Sequence, residues 1–263
     1  MNVKNIVSIL FAVFILIFSM VWGNENPSKL VDPHGFVIVA LGTVACVGVA
    51  FSINRALLML KIFFFGLFKT TVPENKTIIQ QLMEFAEAYR SNSPDLEKLT
   101  ENCVDPFLKE SMQALQDKVL DDKKLYRVLM ERVNTMYDRY TDDAKMFVSC
   151  GKFPPAMGLM GAVLGMIALL GSLGKPGAEK NIGPAMSVAL VATLYGIALA
   201  NLFIIPIGEN LSEQAKKTRL KNKIIVEGIK HIAAKANPIV LAEELNSFLL
   251  PSERVDWKNM KKS

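Results

Sequence analysis

The sequence predicts an all-α, polytopic membrane protein with four transmembrane helices, a large helical cytoplasmic insert between helices 2 and 3, and a helical cytoplasmic tail. Two observations favour this architecture. Apolar residues make up 51% of the 263-residue chain, and nearly half of them are concentrated in four long stretches without charge. Because a soluble domain is only about 45–50% apolar even when glycine is counted, this clustering indicates membrane helices rather than a soluble core.

The four uncharged stretches are each long enough to cross a bilayer, whose hydrocarbon core of ~30 Å needs about 20 helical residues. We predict transmembrane helices at about 6–22, 35–53, 153–173 and 182–206. The first stretch is longer than the apolar core of a signal peptide, and the residues around Trp22 make a poor cleavage site. We therefore interpret it as a span with Trp22 at the membrane–water interface.

The distribution of basic residues predicts the orientation. Of the 30 lysines and arginines, 27 lie at the N-terminus, in 54–152 or in 207–263. Because cytoplasmic segments beside membrane spans carry the excess of Lys and Arg, both termini and the long insert are predicted to be cytoplasmic. The insert balances 15 basic against 15 acidic residues, which argues against a nucleic-acid partner.

The chain is thus predicted to consist of a membrane hairpin (1–53), a helical insert (54–152), a second membrane hairpin (153–207) and a tail (208–263). Within the insert, apolar residues recur at helical spacing over 77–89 and again over 125–146. The segment 56–68 is apolar but carries Lys61 and is short for a span. We interpret it as an interfacial helix in contact with membrane lipid.

Catalytic motifs are absent from the sequence, which contains no GxxxxGK[ST], GxSxG or HExxH pattern. Its three cysteines are far apart and only two histidines accompany them, so we expect neither a zinc site nor a disulfide framework. The sequence therefore predicts a protein that is not an enzyme and binds no cofactor.

Small residues occur at helical spacing in the last two spans. Gly161 and Gly165 form a GxxxG step in the third span, and Thr193 and Gly196 share one face of the fourth with two alanines. Small residues allow membrane helices to approach closely. Such faces are typical both of a tightly packed partner or pore and of simple packing within a hairpin, and the residues alone leave both interpretations open.

No Asp, Glu, Lys, Arg or His lies inside the four apolar stretches, although ion carriers normally need an ionisable group in the membrane. If the protein conducts ions, a carboxylate must come from another chain. The last two spans offer hydroxyls at Ser187, Thr193 and Tyr195, and prolines at Pro155 and Pro206. The prolines could provide a hinge or an ion exit, or they could simply start one helix and end another.

Several motifs carry a family resemblance. GKFPPAMGLMGAVLGMI at 151–167 resembles the third-span signature of the MotA family, usually written GKYAPAFGMIGTVIGLI. The stretches 183–196 and 201–207 resemble the fourth-span signature, 237–249 is similar to the family's NPxxVxExLxSFL ending, and 31–43 fits its second span. The resemblance covers almost the whole chain and keeps the order of the motifs.

The resemblance implies a flagellar stator subunit in the bacterial inner membrane: a homopentamer around two single-span MotB-type chains, whose aspartate carries the coupling ion. By position, it implies that Thr193 lines the ion path and that Pro155 and Pro206 link ion passage to torque. Ala162 stands where threonine accompanies sodium coupling in this family, so it favours H+. We place Ser187 in the same ion pathway.

The resemblance also implies that charged residues of the insert press on the rotor protein FliG. The family motif there reads roughly ARxxGxxxLE, and this chain offers AYRSNSPDLE at 88–97. Arg90 is one place late, Asn92 replaces the glycine, and Glu97 aligns. Arg90 and Glu97 are the predicted rotor contacts; the alternative is that both are ordinary solvated charges.

Two other functions are compatible with the residues. An ExbB- or TolQ-like motor for outer-membrane energisation or gliding shares the last two spans and the missing carboxylate, but such proteins usually have three spans. A non-conducting membrane scaffold held together by the small-residue faces is the third possibility.

Overall fold

The computed structural model describes residues 3–22, 30–65, 72–173 and 179–255. These ranges contain no strand, which confirms the all-α fold class. They form eleven α-helices, a π-helix at Leu199–Ile204 and a 3-10 turn at Pro251–Glu253. The α-helices are α1 (Val3–Trp22), α2 (Pro33–Phe51), α3 (Ile53–Phe65), α4 (Asn75–Arg90), α5 (Leu96–Glu101), α6 (Pro106–Asp117), α7 (Asp122–Cys150), α8 (Phe153–Ser172), α9 (Glu179–Ala198), α10 (Ile205–Ala233) and α11 (Pro238–Asn246).

Three helical segments of the described residues are long and apolar enough to cross a membrane: Pro33–Phe51, Asp122–Ser172 and Ile182–Ala233. They contain the second, third and fourth predicted spans. The first predicted span is also helical, as part of α1, with a shorter apolar stretch at Leu10–Ser19. The exact count of four spans stays a prediction. Residues 23–29 and 174–178 of the connectors, and 66–68 of the predicted interfacial helix, lie outside the described residues.

The chain divides into two compact units. We call Met1–Thr71 with Asp142–Ser212 the membrane unit, and Val72–Thr141 with Glu213–Ser263 the insert–tail unit. Both α7 and α10 contribute residues to each unit. Each unit is therefore assembled from two separate parts of the chain.

The membrane unit is built on the antiparallel pair α8 and α9, against which α2 packs. The buried face of α2 consists of residues four apart: Gly35, Val39, Thr43 and Val47. Asp32 caps this helix, because its carboxylate accepts hydrogen bonds from the backbone N–H of His34 (3.2 Å) and Gly35 (2.8 Å).

Ser52, between α2 and α3, has a backbone conformation that favours glycine, with φ 72° and ψ 150°. For a residue with a Cβ, this region of φ and ψ has a conformational energy cost on the order of 1–3 kcal/mol. Because the Ser52 side chain is exposed, its loss removes no packing. We expect Ser52→Gly to stabilise the solubilised protein by about 1 kcal/mol and to raise its melting temperature.

Thermal unfolding in detergent measures this effect, and Ser52→Ala is the matched control because alanine retains the Cβ. Equal melting temperatures for the glycine and alanine variants would contradict the assignment of strain to this residue.

The insert–tail unit has its own hydrophobic core, to which α4, α6, α7, α10 and α11 contribute. The predicted helices at 77–89 and 125–146 lie within α4 and α7 and are confirmed. Ile224, Ile225 and Val226 are consecutive and all have no exposed surface, so α10 is covered over more than half of its circumference at this point. The unit therefore buries a sizeable core outside the predicted spans.

One buried ion pair joins two helices of this unit. Lys221 of α10 pairs with Asp105, and both side chains are less than 10% exposed. Asp105 is also the N-cap of α6, where it accepts hydrogen bonds from the N–H of Phe107 (3.0 Å) and Leu108 (3.2 Å). The carboxylate therefore neutralises the lysine and completes the first turn of α6.

Candidate functional site

The predicted small-residue faces meet along the α8–α9 hairpin. A Cβ atom added to Gly161 would lie 3.0 Å from the Cβ of Ala192, and one added to Gly165 would lie 3.1 Å from the Cβ of Ala189. At Gly196 an added Cβ would overlap the carbonyl oxygen of Pro154. The backbones of the two helices therefore approach each other closely, as small residues allow in membrane helices.

Thr193 lies at the centre of this contact. Its hydroxyl is 3.3 Å from the carbonyl oxygen of Ala189 on its own helix and 3.4 Å from that of Gly158 on α8. A Cβ at Gly158 would lie 2.7 Å from the carbonyl oxygen of Ala192, so only glycine lets the helices approach this closely. The hydroxyl proton is engaged within the hairpin, and the oxygen keeps lone-pair capacity for a further polar group.

The other two predicted pathway residues lie on the same hairpin. Ala162 follows Gly161, whose neighbour is Ala192, so Ala162 and Thr193 lie at a similar level. Ser187 is six residues before Thr193, about 9 Å along an α-helix. Both Ala162 and Ser187 are partly buried.

The two predicted coupling prolines lie at different points along the hairpin. Pro155 is in the first turn of α8, where its Cα would lie 3.1 Å from a Cβ added to Gly196. Pro206 is ten residues beyond Gly196, about 15 Å for an α-helix. It follows Ile205, whose side chain lies against Gly151. The structure therefore joins Pro155 to Gly196 and places Pro206 further along the chain, next to the residue that packs on Gly151.

Pro206 does not end a helix, contrary to one of the two interpretations left open from the sequence. The chain continues as α10 to Ala233. The π-helix Leu199–Ile204 immediately precedes the proline, and the N–H of Ile205 donates to the carbonyl of Ala200 five residues earlier. Because a π turn is wider than an α turn, it gives the proline ring room that an α-helix would deny.

Asn201, inside the π-helix, is a polar residue that the sequence-based site omitted. It is exposed, and its side-chain amide donates to the carbonyl of Ile197 at 3.0 Å. A polar residue in an apolar stretch between Thr193 and Pro206 is the sequence feature that could have indicated Asn201 as part of the site.

A second omission is the link between Tyr195 and the start of α2. The Tyr195 hydroxyl donates to the carbonyl oxygen of Leu30 (2.6 Å) and accepts from the N–H of Asp32 (3.0 Å). The sequence signal was the Val-Asp-Pro motif before α2, but its partner lies 163 residues away.

The predicted rotor contacts lie on either side of a turn in the insert–tail unit. Arg90 ends α4, Glu97 is in the first turn of α5, and both are exposed. Between them Asn92 has φ 51°, and the N–H of Ser93 donates to the carbonyl of Ala88 at 2.9 Å. This is a Schellman turn, whose left-handed residue is usually glycine and sometimes asparagine. Asn92, which stands where the family motif has glycine, is therefore compatible with this left-handed turn.

Glu227 is the centre of a hydrogen-bonded cluster elsewhere in the insert–tail unit. Burial is the largest single influence on the pKa of Glu227, and by itself it would raise that pKa. Hydrogen bonds from Lys230 (2.8 Å) and Tyr126 (2.7 Å), with the charges of Lys230 and His231, outweigh burial and bring the pKa below its ordinary value. The Tyr126 pKa is raised, chiefly because its hydroxyl donates to this carboxylate.

Removing the Tyr126 hydroxyl is expected to lower the free energy of unfolding by an amount that depends on pH. Because the folded pKa of Glu227 is lowered, its ionised form stabilises the fold at neutral pH, and this stabilisation is lost as pH falls through the folded pKa, below about 4.5. We expect Tyr126→Phe to cost about 1 kcal/mol at pH 7 and less at pH 3.5. Thermal unfolding across this pH range tests it, and a difference between wild type and variant that does not change with pH would contradict it.

The described residues contain no cluster of three His, Cys, Asp or Glu side chains able to hold a metal ion. The site instead consists of a packed pair of apolar helices with hydroxyls and a π-helix. This fold and site define a class: multi-pass membrane proteins whose last two apolar helices pack closely together and carry no acidic or basic side chain within 153–173 and 182–206.

Comparison with known proteins assigns the chain to a family within that class. Residues 99–223 match the MotA/TolQ/ExbB proton channel family. The chain is 29% identical to the chemotaxis protein PomA of Vibrio alginolyticus over 97% of this chain and 98% of that protein. It is 31% identical to motility protein A of Borreliella burgdorferi over 68% and 67% of the two chains.

The fold agrees with a solved relative. A chain from the structure of C. jejuni MotAB superposes with a TM-score of 0.83 at 26% identity, covering 98% of this chain and 100% of that one. The protein belongs to the MotA/TolQ/ExbB proton channel family, within its motility protein A branch.

Proposed function

We propose that this protein is a stator subunit of the bacterial flagellar motor. Together with a MotB-type single-span partner it forms an ion channel and converts ion flow into torque on the rotor. The observation that carries the proposal is the match of nearly the whole chain to a chain of the C. jejuni MotAB structure. The relatives named motility protein A and PomA, also matched over nearly full length or two thirds of it, favour this function over an ExbB- or TolQ-like motor.

The partner is required by the chemistry of the hairpin. No acidic or basic side chain lies within 153–173 or 182–206, so this chain has no group there that can bind and release a proton. A MotB-type chain supplies the aspartate. In this arrangement two MotB-type chains lie within five copies of the present chain, in the bacterial inner membrane, with the N- and C-termini in the cytoplasm.

The proposed ion is H+, and the proposed path follows α9. Thr193 and Ser187 provide hydroxyls beside the partner's aspartate, and Ala162 adds no further oxygen at the level of Thr193. A sodium ion needs several oxygen ligands, whereas a proton needs only one acceptor at a time. The apolar side chain at position 162 therefore supports proton coupling.

Conformational coupling is proposed for the prolines. Neutralising and recharging the partner's aspartate changes which arrangement of the surrounding copies is favoured, because the two charge states bind the hairpin differently. A membrane potential contributes about 2.3 kcal/mol per charge per 100 mV. Pro155 contacts Gly196 across the hairpin, and the π-helix before Pro206 is a place where α9–α10 departs from a regular α-helical ladder.

Torque is proposed to pass to FliG through exposed charges of the insert–tail unit. Arg90 and Glu97 lie on the two sides of the Asn92 turn, and both are exposed on the surface. Charge reversal at either position is expected to weaken rotor contact without disturbing the buried core.

The experiment is deletion of the gene, followed by electron microscopy of the flagella and tracking of swimming cells. We expect assembled but non-rotating flagella, restored by the wild-type chain and not by Pro155→Leu at equal membrane levels. Normal rotation after deletion in a strain without a second stator set would refute the stator function.

A further inference from the structure

The membrane unit contains an apolar pocket that the proposed ion path does not use. Its volume is about 80 Å³, and it lies between α2, α3, the end of α7 and the π-helix. The lining residues are Thr43, Val44, Val47, Ala56, Met59, Leu60, Phe147, Cys150 and Ile204.

The two lining residues with polar atoms are already satisfied. The Thr43 hydroxyl donates to the carbonyl of Val39 at 2.6 Å, and the Cys150 sulfur is 3.8 Å from the sulfur of Met59. Apolar cavities of this kind stay dry and accept hydrophobic ligands; one of ~150 Å³, about twice this volume, binds benzene. The pocket therefore suits a short length of hydrocarbon rather than water.

The pocket opens towards a surface that is itself apolar. Val44 lines it and is also 41% exposed, and Leu41, about one turn earlier on α2, is 64% exposed. Because these residues belong to the predicted span 35–53, the surface around the opening faces hydrocarbon. The hydrophobic molecule present around this opening is therefore a lipid acyl chain.

The helix that covers the pocket is positively charged. Ala56, Met59 and Leu60 of α3 line the pocket, and two exposed cations, Arg55 and Lys61, flank them in sequence. The helix contains no acidic residue. Its exposed face also carries Leu57 (59% exposed) and Leu58 (43% exposed), the pattern of a helix that lies in the membrane interface.

We propose that α3 and this pocket form a binding site for one anionic phospholipid. The end of an acyl chain occupies the pocket, and Arg55 and Lys61 bind the phosphate. Basic residues at the membrane interface attract anionic headgroups, and the apolar pocket adds contacts that a free phosphate ion cannot make. The site lies within one chain and does not depend on the proposed ion coupling.

Native mass spectrometry of the assembled complex, purified in mild detergent, tests the headgroup. The probes are phosphatidylglycerol and phosphatidylcholine with identical chains. We expect at least fivefold more phosphatidylglycerol retained per copy of this chain, and loss of that preference in the double variant Arg55→Gln, Lys61→Gln. The matched control is Lys216→Gln, Lys217→Gln, which removes two exposed charges from α10.

The acyl site is tested with Ala56→Leu, which fills the pocket and is expected to lower retention of both lipids severalfold. Gly48→Leu is its control, since a Cβ added at that position of α2 meets no atom within 4 Å. Ala56→Val serves where the leucine variant lowers the yield of complex. Only data from complexes that elute intact are compared.

Four results would overturn the proposal. Equal retention of the two lipids, or equal phosphatidylglycerol retention in the charge variant and its control, would refute headgroup recognition. Unchanged retention in the Ala56 variants would refute the acyl site. A retained mass equal to a free fatty acid would show that the ligand is not a phospholipid.

Discussion

Gly196→Ala is expected to abolish swimming and to lower the amount of assembled complex in the membrane at least tenfold. The added Cβ would overlap the carbonyl oxygen of Pro154 and lie 3.1 Å from the Cα of Pro155. Both are backbone positions in the first turn of α8, so no side chain can rotate away. The helices must separate, and overpacking of this kind costs about 1–3 kcal/mol or more.

The measurement combines swimming speed with native electrophoresis of membrane extracts. Gly183→Ala on the same helix and Gly171→Ala on α8 are matched controls, because an added Cβ at either position meets no atom within 4 Å. We expect both controls to assemble and swim. A Gly196→Ala strain that swims at the wild-type speed would show that the α8–α9 contact can relax without loss of function.

Lys221→Met is expected to destabilise the insert–tail unit by about 3–5 kcal/mol, because it leaves the Asp105 carboxylate charged and buried without its cation. For a chain of this size, such a loss lowers the melting temperature by on the order of 10 °C. Thermal unfolding of the purified complex, followed by circular dichroism, measures the effect.

The double variant Asp105→Asn, Lys221→Met tests whether the unpaired buried charge causes the loss of stability. Asparagine still caps α6 and carries no charge, so we expect the double variant to recover most of the lost stability. Lys217→Met is the control for loss of a surface pair, since its 3.8 Å contact with Glu213 is exposed and contributes less than about 1 kcal/mol. Equal melting of the single and double variants would contradict the role of the buried charge.

The helices that could be predicted from the sequence are those whose pattern is local. Uninterrupted apolar runs located the last three spans, and the 3.6-residue period located α4 and α7. The predicted tail, by contrast, began at 208 after a span ending at Pro206, whereas the helix runs through the proline to Ala233. Proline normally interrupts a helix, and no residue pattern announces the π turn that accommodates it.

The site divides in the same way. Sequence motifs indicated Gly161, Gly165 and Gly196, because small residues at helical spacing have a local signature. Their partners, such as Pro154 for Gly196, depend on the register between two helices. The Asp105–Lys221 pair and the Tyr195–Asp32 hydrogen bond join residues 116 and 163 positions apart, and charge or polarity alone does not pair such residues.

The π-helix also determines how a change in residue number is tolerated in this segment. A π turn holds about one residue more than an α turn over nearly the same rotation of the chain, so deleting one residue from 199–204 and closing the segment to α turns would keep the phase of the helix that follows. Gly208, where an added Cβ would lie 2.9 Å from the backbone nitrogen of Val148, would then keep that contact. A deletion within a regular stretch of α-helix has no wide turn to absorb it and rotates the residues that follow by about 100°.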